Sequence, residues 1–329
     1  MIKKSLTLFL GAFILYCGTA FGLANNAVNF NLQPEFGLFH GSISEYVYEE
    51  EISNTDNLES RLDWDMPAIP YIGATAEMNI FRVFFLGFNT KYAFPGNSGY
   101  MQDYDWLNSS SESPFHWRFD DPTELTNYSK HDNYLNDFYT VSFELGGTIP
   151  IKNKIFITPV VSYEYNYIML TGSDGYCIYK YYDFNEITFD GDVISYGQET
   201  NILKFGVKSK INPVRFLSIG ADFYFSPMLS YVYSLDKHFI GKKAFLDKMN
   251  YASVLQGKLS ITYNFKRFHK VGLVCGFEYM PIVKGADYTK KLDENNEPSK
   301  KVSWGQPTAA LGGTSHYRWN WGLIYSFNF

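Results

Sequence analysis

The last thirteen residues of the chain alternate between two kinds of side chain. Every odd position from Tyr317 to Phe329 is aromatic or leucine, whereas the even positions hold arginine, asparagine, glycine, isoleucine and serine. A period of two is that of a β-strand, whose successive side chains point to opposite faces. We therefore predict a C-terminal strand with one apolar and one largely polar face.

The composition indicates which class of β-protein contains such strands. Aromatic residues make up 19% of the chain, yet the mean hydropathy is slightly negative. Transmembrane β-barrels have this combination, because outward positions face lipid, inward positions face water, and aromatic girdles mark both interfaces. A soluble β-sandwich has no need of so many aromatic residues.

Nine further segments read as strands, which makes ten with the last. Their connections alternate between short turns, near residues 77, 151, 211 and 266, and longer polar loops. An even number of strands closes a meander without a free edge. We predict an all-β fold, a ten-stranded antiparallel transmembrane β-barrel with short periplasmic turns and long extracellular loops. The strand segments are 34–49, 61–76, 80–94, 135–149, 154–170, 195–210, 215–233, 252–265 and 270–285, and the predicted loops are 50–60, 95–134, 171–194, 234–251 and 286–314.

The N-terminus has the pattern of a secretory signal. Lys3 and Lys4 precede an apolar run from Leu6 to Tyr16, and small residues follow. The run is too short to span a bilayer as a helix. We predict a signal peptide over residues 1–24 and a single barrel domain over residues 25–329, located in a bacterial outer membrane.

Charge and cysteine content exclude some classes of function. The formal charge of −6 becomes −8 when the two signal lysines are removed. No basic stripe is present to replace phosphate counterions, so we expect no nucleic-acid partner. Cys177 and Cys275 do not form a disulfide framework, and the sequence leaves open whether they pair.

Two pairs of polar residues follow strands that are predicted to run outward. Asp103 and Asp105 follow the third strand, and Asp236 and His238 follow the seventh. Residues two apart in an extended chain share a face. A carboxylate next to a histidine favours the charged imidazole, and two adjacent carboxylates raise one pKa. Such groups can hold and deprotonate a water molecule without a protein nucleophile.

Other interpretations of these residues are open at this point. Acids and histidines in extracellular loops are often only solvated, and either pair alone is a weak signal. The residues lack the three-ligand pattern of catalytic zinc, so no metal site is predicted. No nucleophile elbow, phosphate-binding loop or dinucleotide fingerprint lies in a suitable context.

Three stretches of the chain resemble the omptin family of outer-membrane aspartyl-type endopeptidases. They are "LFHGSISEYVYEEE" with "SRLDWDMPAI", then "GYMQDYDWLNSSS", and then "SLDKHF". Their conjunction, with the last two about 130 residues apart, is more specific than any single motif. The resemblance implies a ten-stranded barrel with its active site on the extracellular side.

The resemblance also implies roles for individual residues. It makes Asp103 and Asp105 the acidic couple and Asp236 and His238 the dyad, with water activated between them. Glu45 corresponds to an acid that reads a cationic side chain at P1, and Ser234 stands where the family has a second such acid. We therefore expect a weaker or shifted preference for arginine at P1.

The acidic rim favours cationic polypeptides as substrates independently of the family. Eight acids and one base, Arg61, lie between Glu45 and Asp65. Such a field attracts basic peptides, more strongly at low salt. The alternative is that these charges only keep the loops soluble.

No cofactor is expected, except that lipopolysaccharide or another outer-leaflet lipid is a possible requirement. The resemblance implies lipid contacts through basic residues on the outer wall. Asn166 and Glu199 stand near positions where such residues are expected. Dependence on lipopolysaccharide is therefore in question.

These observations favour an outer-membrane endopeptidase that cleaves near basic residues. The alternative is a non-catalytic barrel that acts as an adhesin or binding protein. A passive porin is disfavoured, because side chains fill the lumen of a ten-stranded barrel.

Overall fold

A computed structural model describes residues 28–48, 58–81, 83–107, 125–151, 154–179, 184–266, 268–300 and 303–328. The predicted signal peptide, residues 1–24, lies outside the described residues. Over the described ranges, no helix has the length and apolar character needed to cross a membrane.

The described part of the chain forms strands joined by turns and loops, in one antiparallel sheet. Long strands of up to 25 residues carry the barrel well beyond the membrane. The strands are β1 (Val28–Tyr48), β2 (Leu58–Ile80), β3 (Phe84–Ala93), β4 (Gly96–Asp105), β5 (Asn127–Gly147), β6 (Ile149–Ile151), β7 (Ile155–Tyr179), β8 (Glu186–Thr188), β9 (Asp192–Val214), β10 (Leu217–His238), β11 (Lys243–Lys266), β12 (His269–Lys291) and β13 (Leu311–Asn328).

The sheet closes on itself. Each long strand pairs with the next one along the chain, and β13 pairs with β1 from Asn31↔Asn328 to Tyr48↔Leu311. Because β3 and β4 both lie between β2 and β5, they are two halves of one barrel strand. The ring therefore has ten strands, which confirms the predicted barrel.

The break between β3 and β4 falls at Phe94 and Pro95. Proline has no backbone N–H to donate to a sheet. Pairing with β2 continues on one side of it through the Phe94 N–H, which donates to the Pro70 carbonyl at 2.9 Å. Beyond this break, β4 continues the same strand of the barrel wall between β2 and β5. It carries Asp103 and Asp105.

Apolar side chains cover the outside of the barrel. On β13, Tyr317, Trp319, Trp321 and Leu323 are 42 to 59% exposed, as the alternation of the sequence predicts. In a membrane protein these side chains contact lipid. The lipid-facing surface is thus built from the odd positions of the C-terminal strand and their equivalents on its neighbours.

The inside of the barrel has two layers of different chemistry. The lower lumen holds ion pairs such as Lys204–Glu164 and Lys208–Glu144. Above them, buried apolar side chains from β1 to β9 pack in one cluster, and a second cluster joins β9 to β12. We call the first cluster the apolar floor. It consists of Phe39, Ile43, Leu62, Trp64, Met66, Ile69, Tyr71, Ala93, Met101, Leu135, Phe138, Ile168, Leu170, Ile194 and Tyr196.

Much of the chain predicted as extracellular loop is strand. Segment 95–134 contributes β4 and the start of β5, and segment 234–251 is a hairpin with its turn at 239–242 and a bulge at Tyr251. The prediction of these loops was wrong because the upper barrel stands above the membrane. Water outside and polar groups inside remove the apolar alternation that marks the lipid-spanning part.

Candidate active site

The four predicted catalytic residues line the inner face of the barrel wall near its extracellular end. Asp103 and Asp105 lie on β4, on the same face as the buried Met101. Asp236 and His238 lie at the end of β10. All four belong to paired strands, not to loops, so the sheet fixes the direction of each side chain.

Asp236 and His238 form a close pair. The His238 Nε2 atom lies 2.5 Å from Asp236 Oδ2. The Asp236 side chain is 4% exposed, whereas that of His238 is 39% exposed and faces the barrel mouth. A buried carboxylate thus orients an imidazole that is open to a substrate. The ring also contacts the edge of Phe245, with ring centroids 5.2 Å apart.

The charge of Asp236 controls the imidazole. Burial disfavours the charged form of His238, but the attraction of Asp236, its hydrogen bond and the charges of Asp103 and Asp105 outweigh this. Together they raise the pKa of His238 to about 9. At neutral pH the resting site therefore holds an imidazolium.

Asp103 and Asp105 form the second pair. The Ser60 hydroxyl donates to Asp103 Oδ1 at 3.4 Å, and the Asn127 amide donates to Asp105 Oδ2 at 3.2 Å. Burial raises the pKa of both carboxyl groups, and the charge of Asp105 raises that of Asp103 further. Two adjacent carboxylates of this kind retain a proton between them.

The barrel brings the two pairs toward each other across its interior. Strands β4 and β10 are separated in the ring by β5, β7 and β9. The pairs nevertheless act on each other's pKa, since Asp103 and Asp105 raise that of His238 and its charge lowers theirs. The structure therefore places all four predicted residues in one site.

The apolar floor borders this site. Leu62 is opposite Asp103 across the β2–β4 pairing, and Tyr196 is opposite Asp236 across the β9–β10 pairing. Both are fully or nearly fully buried. An apolar layer of this kind has a low dielectric constant, which strengthens interactions between the charges next to it.

The predicted binding residues lie beside the dyad. Glu45 on β1 is 2% exposed, and its Oε2 atom has no hydrogen-bond partner. Burial raises the pKa of Glu45 well above its ordinary value, and Asp236, Asp247 and Asp103 add to this shift. Ser234 is also buried, and its hydroxyl donates to Asp247 Oδ2 at 3.2 Å.

Sequence reasoning missed Asp247 and Asp287. Asp247 lies opposite Ser234 on β11, and Asp287 lies opposite Asp247 on β12. The signal that could have found them is the tight turn after His238. Had segment 234–251 been read as a hairpin, its register would have set Asp247 against Ser234.

The two residues considered for lipid contact differ in orientation. Asn166 is buried and donates to Glu164 Oε1 in the lumen at 3.1 Å, so its placement on the outer wall was wrong. The reason is strand periodicity, because alternate residues of a strand face opposite sides and Asn166 is at a position that faces the lumen. Glu199 is exposed and lies between Tyr167 and Tyr233 on the outside.

The two cysteines of the described chain are free thiols. Cys177 is buried on β7, and Cys275 is exposed on β12.

The fold and the site define an outer-membrane β-barrel with an acidic cleft in its extracellular mouth. The sequence model of the omptin family matches residues 26–327. This chain therefore belongs to the omptin family.

Individual relatives are distant in sequence but cover most of the chain. A plasminogen activator from Yersinia pestis is 23% identical over 91% of this chain and 90% of its own length. The crystal structure of the outer membrane protease OmpT from Escherichia coli superposes with a TM-score of 0.77 at 18% identity. That match covers 92% of this chain and 97% of the other. Family membership supports an outer-membrane peptidase with its site on the extracellular side.

Proposed function

We propose that this protein is an endopeptidase that hydrolyses peptide bonds near basic residues with an activated water molecule. The observation that carries the proposal is the Asp236–His238 pair, at 2.5 Å, facing Asp103 and Asp105 across the barrel mouth. Geometry and charge both support a general acid–base site.

Each group has a role in the proposed reaction. With Nε2 engaged by Asp236, Nδ1 is the ring nitrogen that accepts the proton of the attacking water. The water oxygen bonds to the scissile carbonyl carbon, and the proton retained by Asp103 and Asp105 is donated in a hydrogen bond to the carbonyl oxygen. When the C–N bond breaks, the imidazolium returns its proton to the leaving amine.

The charge of the site supports a cationic substrate. Four neighbouring carboxylates raise the pKa of Glu45; they are Asp236, Asp247, Asp103 and Asp287. A lysine or arginine side chain next to the scissile bond would relieve this repulsion. The positive charge of that side chain would also lower the pKa of His238, so that the imidazolium loses its proton more readily.

Replacement of the reacting groups tests the proposal. Asp103→Ala and His238→Ala should each reduce kcat/KM for a peptide with adjacent basic residues by about 10²- to 10⁴-fold. Both proteins, refolded in detergent, should keep the β-sheet circular dichroism of the wild type.

Matched controls are available in the same barrel. Asp132 and His40 are exposed, and Asp132→Ala and His40→Ala should leave cleavage unchanged. Wild-type activity in the Asp103 and His238 variants would contradict the proposed site, and a wild type that cleaves no peptide would support the alternative of a binding barrel.

A further inference from the structure

Two buried carboxylates next to the dyad have no part in the proposed reaction. Asp247 is 4% exposed and Asp287 is 6% exposed. On the basis of the proposed function, we propose that Asp247 and Asp287, together with Glu45, bind the cationic side chain of the substrate.

The sheet register puts the carboxylates in one place. Asp247 lies opposite Ser234 on one side and opposite Asp287 on the other. The Ser234 hydroxyl holds Asp247 Oδ2 at 3.2 Å, and the Thr308 hydroxyl holds Asp287 Oδ2 at 2.6 Å. Like charges directly opposite each other weaken a sheet, so this arrangement costs stability unless a proton or a cation lies between them.

The free acceptor atoms indicate a missing donor. Glu45 Oε2 and Asp287 Oδ1 are buried and accept no hydrogen bond. A buried acceptor without a donor costs about 1–3 kcal/mol. An ammonium or guanidinium group brings several N–H donors and a positive charge to the same place.

No cation of the described chain fills this role. The lysines and arginines that form ion pairs among the described residues do so with other acids, such as Glu164, Glu278 and Glu297. No group of three acid, histidine or cysteine side chains among the described residues has the geometry of a metal site. An organic cation from a bound polypeptide fits these acceptors better than a metal ion.

The strand beside Asp247 has a glycine at the point where the carboxylate lies. Gly312 on β13 lies beside Asp247, and a Cβ atom there would stand 2.1 Å from the Asp247 Cγ atom. Any larger residue would displace the carboxylate. The glycine thus lets Asp247 extend along the inner wall toward β1, the strand that carries Glu45.

Ionisation of the cluster supports the same conclusion. Burial raises the pKa of Asp247 well above its ordinary value, and the neighbouring Asp287 adds to this. Burial also raises the pKa of Asp287. Because a bound cation favours the ionised acids, its affinity should rise with pH as their protons are lost.

The test compares a charged peptide with a neutral one of the same shape. Two peptides that differ only in arginine or citrulline at P1 are cleaved by the wild type and by Asp247→Asn. We expect Asp247→Asn to lower the arginine-to-citrulline ratio of kcat/KM on the order of 10- to 100-fold, mainly by loss of arginine cleavage. Asp222→Asn is the control, since Asp222 lies on β10 in the luminal cavity with Lys204 and Lys208 and should not change the ratio.

A binding measurement separates this inference from the proposed function. Calorimetric titration of the same two peptides into the Asp103→Asn protein, with and without Asp247→Asn, needs no turnover. Preferential binding of the arginine peptide that Asp247→Asn abolishes supports the cation pocket, even if the wild type cleaves nothing. An unchanged preference in either experiment, or an equal loss for both peptides, overturns it.

Discussion

Trp64 on β2 and Tyr196 on β9 stack inside the barrel, with ring centroids 5.7 Å apart and planes inclined by 23°. Both side chains are completely buried. The stack joins strands that are not neighbours in the ring, and Tyr196 lies opposite Asp236 across the β9–β10 pairing. It thus stabilises the apolar floor next to the candidate site.

We expect Trp64→Ala to destabilise the barrel by about 3–5 kcal/mol, because it leaves a cavity in a packed layer. Tyr196→Phe keeps the ring and loses only the hydroxyl, which accepts from the Gln198 amide at 2.9 Å. Its cost should be about 1 kcal/mol. Urea unfolding in detergent measures both, and equal costs would contradict a packing role for the stack.

The ionisation of His238 provides a prediction for pH dependence. The wild-type imidazole should titrate near pH 9, and Asp236→Asn should bring this pKa down toward the ordinary value of about 6.5. NMR titration of ¹³C-labelled histidine, with His238→Gln to assign the signal, measures it directly.

The same shift has consequences for rate and stability. Because the neutral imidazole is the base in the proposed reaction, kcat/KM should rise with pH up to about 9. The folded pKa lies above the unfolded value of about 6.5, so the pair stabilises the fold fully below pH 6.5. That contribution is lost as the pH rises through about 9. A rate that falls between pH 6 and 8 would contradict the assignment of the base.

Glu45 should illustrate a conflict between stability and function. Its raised pKa means that ionisation opposes folding, with a cost that is absent below the unfolded value of about 4.5 and grows as the pH rises above it. Glu45→Gln should therefore stabilise the barrel more at pH 7 than at pH 4, while it weakens cleavage of arginine peptides.

Unfolding midpoints at pH 4, 6 and 8 test this prediction. Glu199→Gln, on the exposed outer wall, is the matched control, because it removes an acid that is not buried. A destabilised Glu45→Gln protein would show that the carboxylate has a structural partner.

The outer wall gives a prediction about lipid. Glu199 places an acid between Tyr167 and Tyr233, and an acid repels the phosphates of lipopolysaccharide. We therefore expect lipopolysaccharide to activate the refolded wild type little, and Glu199→Arg to bind it more tightly. Peptide cleavage with and without added lipopolysaccharide measures this, and strong activation of the wild type would refute the expectation.

The sequence predicts those parts of the barrel that contact lipid. The alternation from Tyr317 to Phe329 exists because one face of β13 meets hydrocarbon and the other meets the lumen. Ten strands and their order follow from repeats of this pattern. Above the membrane no such contrast exists, and β4 and the β10–β11 hairpin therefore look like loops.

The candidate site is predictable only in part, for a related reason. Asp103, Asp105, Asp236 and His238 stand in short motifs, so a pattern along the chain reveals them. Asp247 belongs to the site because of strand register and not because of its neighbours in sequence. Only the register of a hairpin over segment 234–251 would have set Asp247 against Ser234.

The apolar floor also separates two aqueous spaces. Water and ions at the barrel mouth reach the carboxylates of the candidate site, whereas the lysines and glutamates of the lower lumen lie on the other side of packed apolar side chains. An ion entering from outside would have to shed its hydration to pass. The packed side chains of the floor thus oppose the passage of hydrated ions from the barrel mouth to the lower lumen.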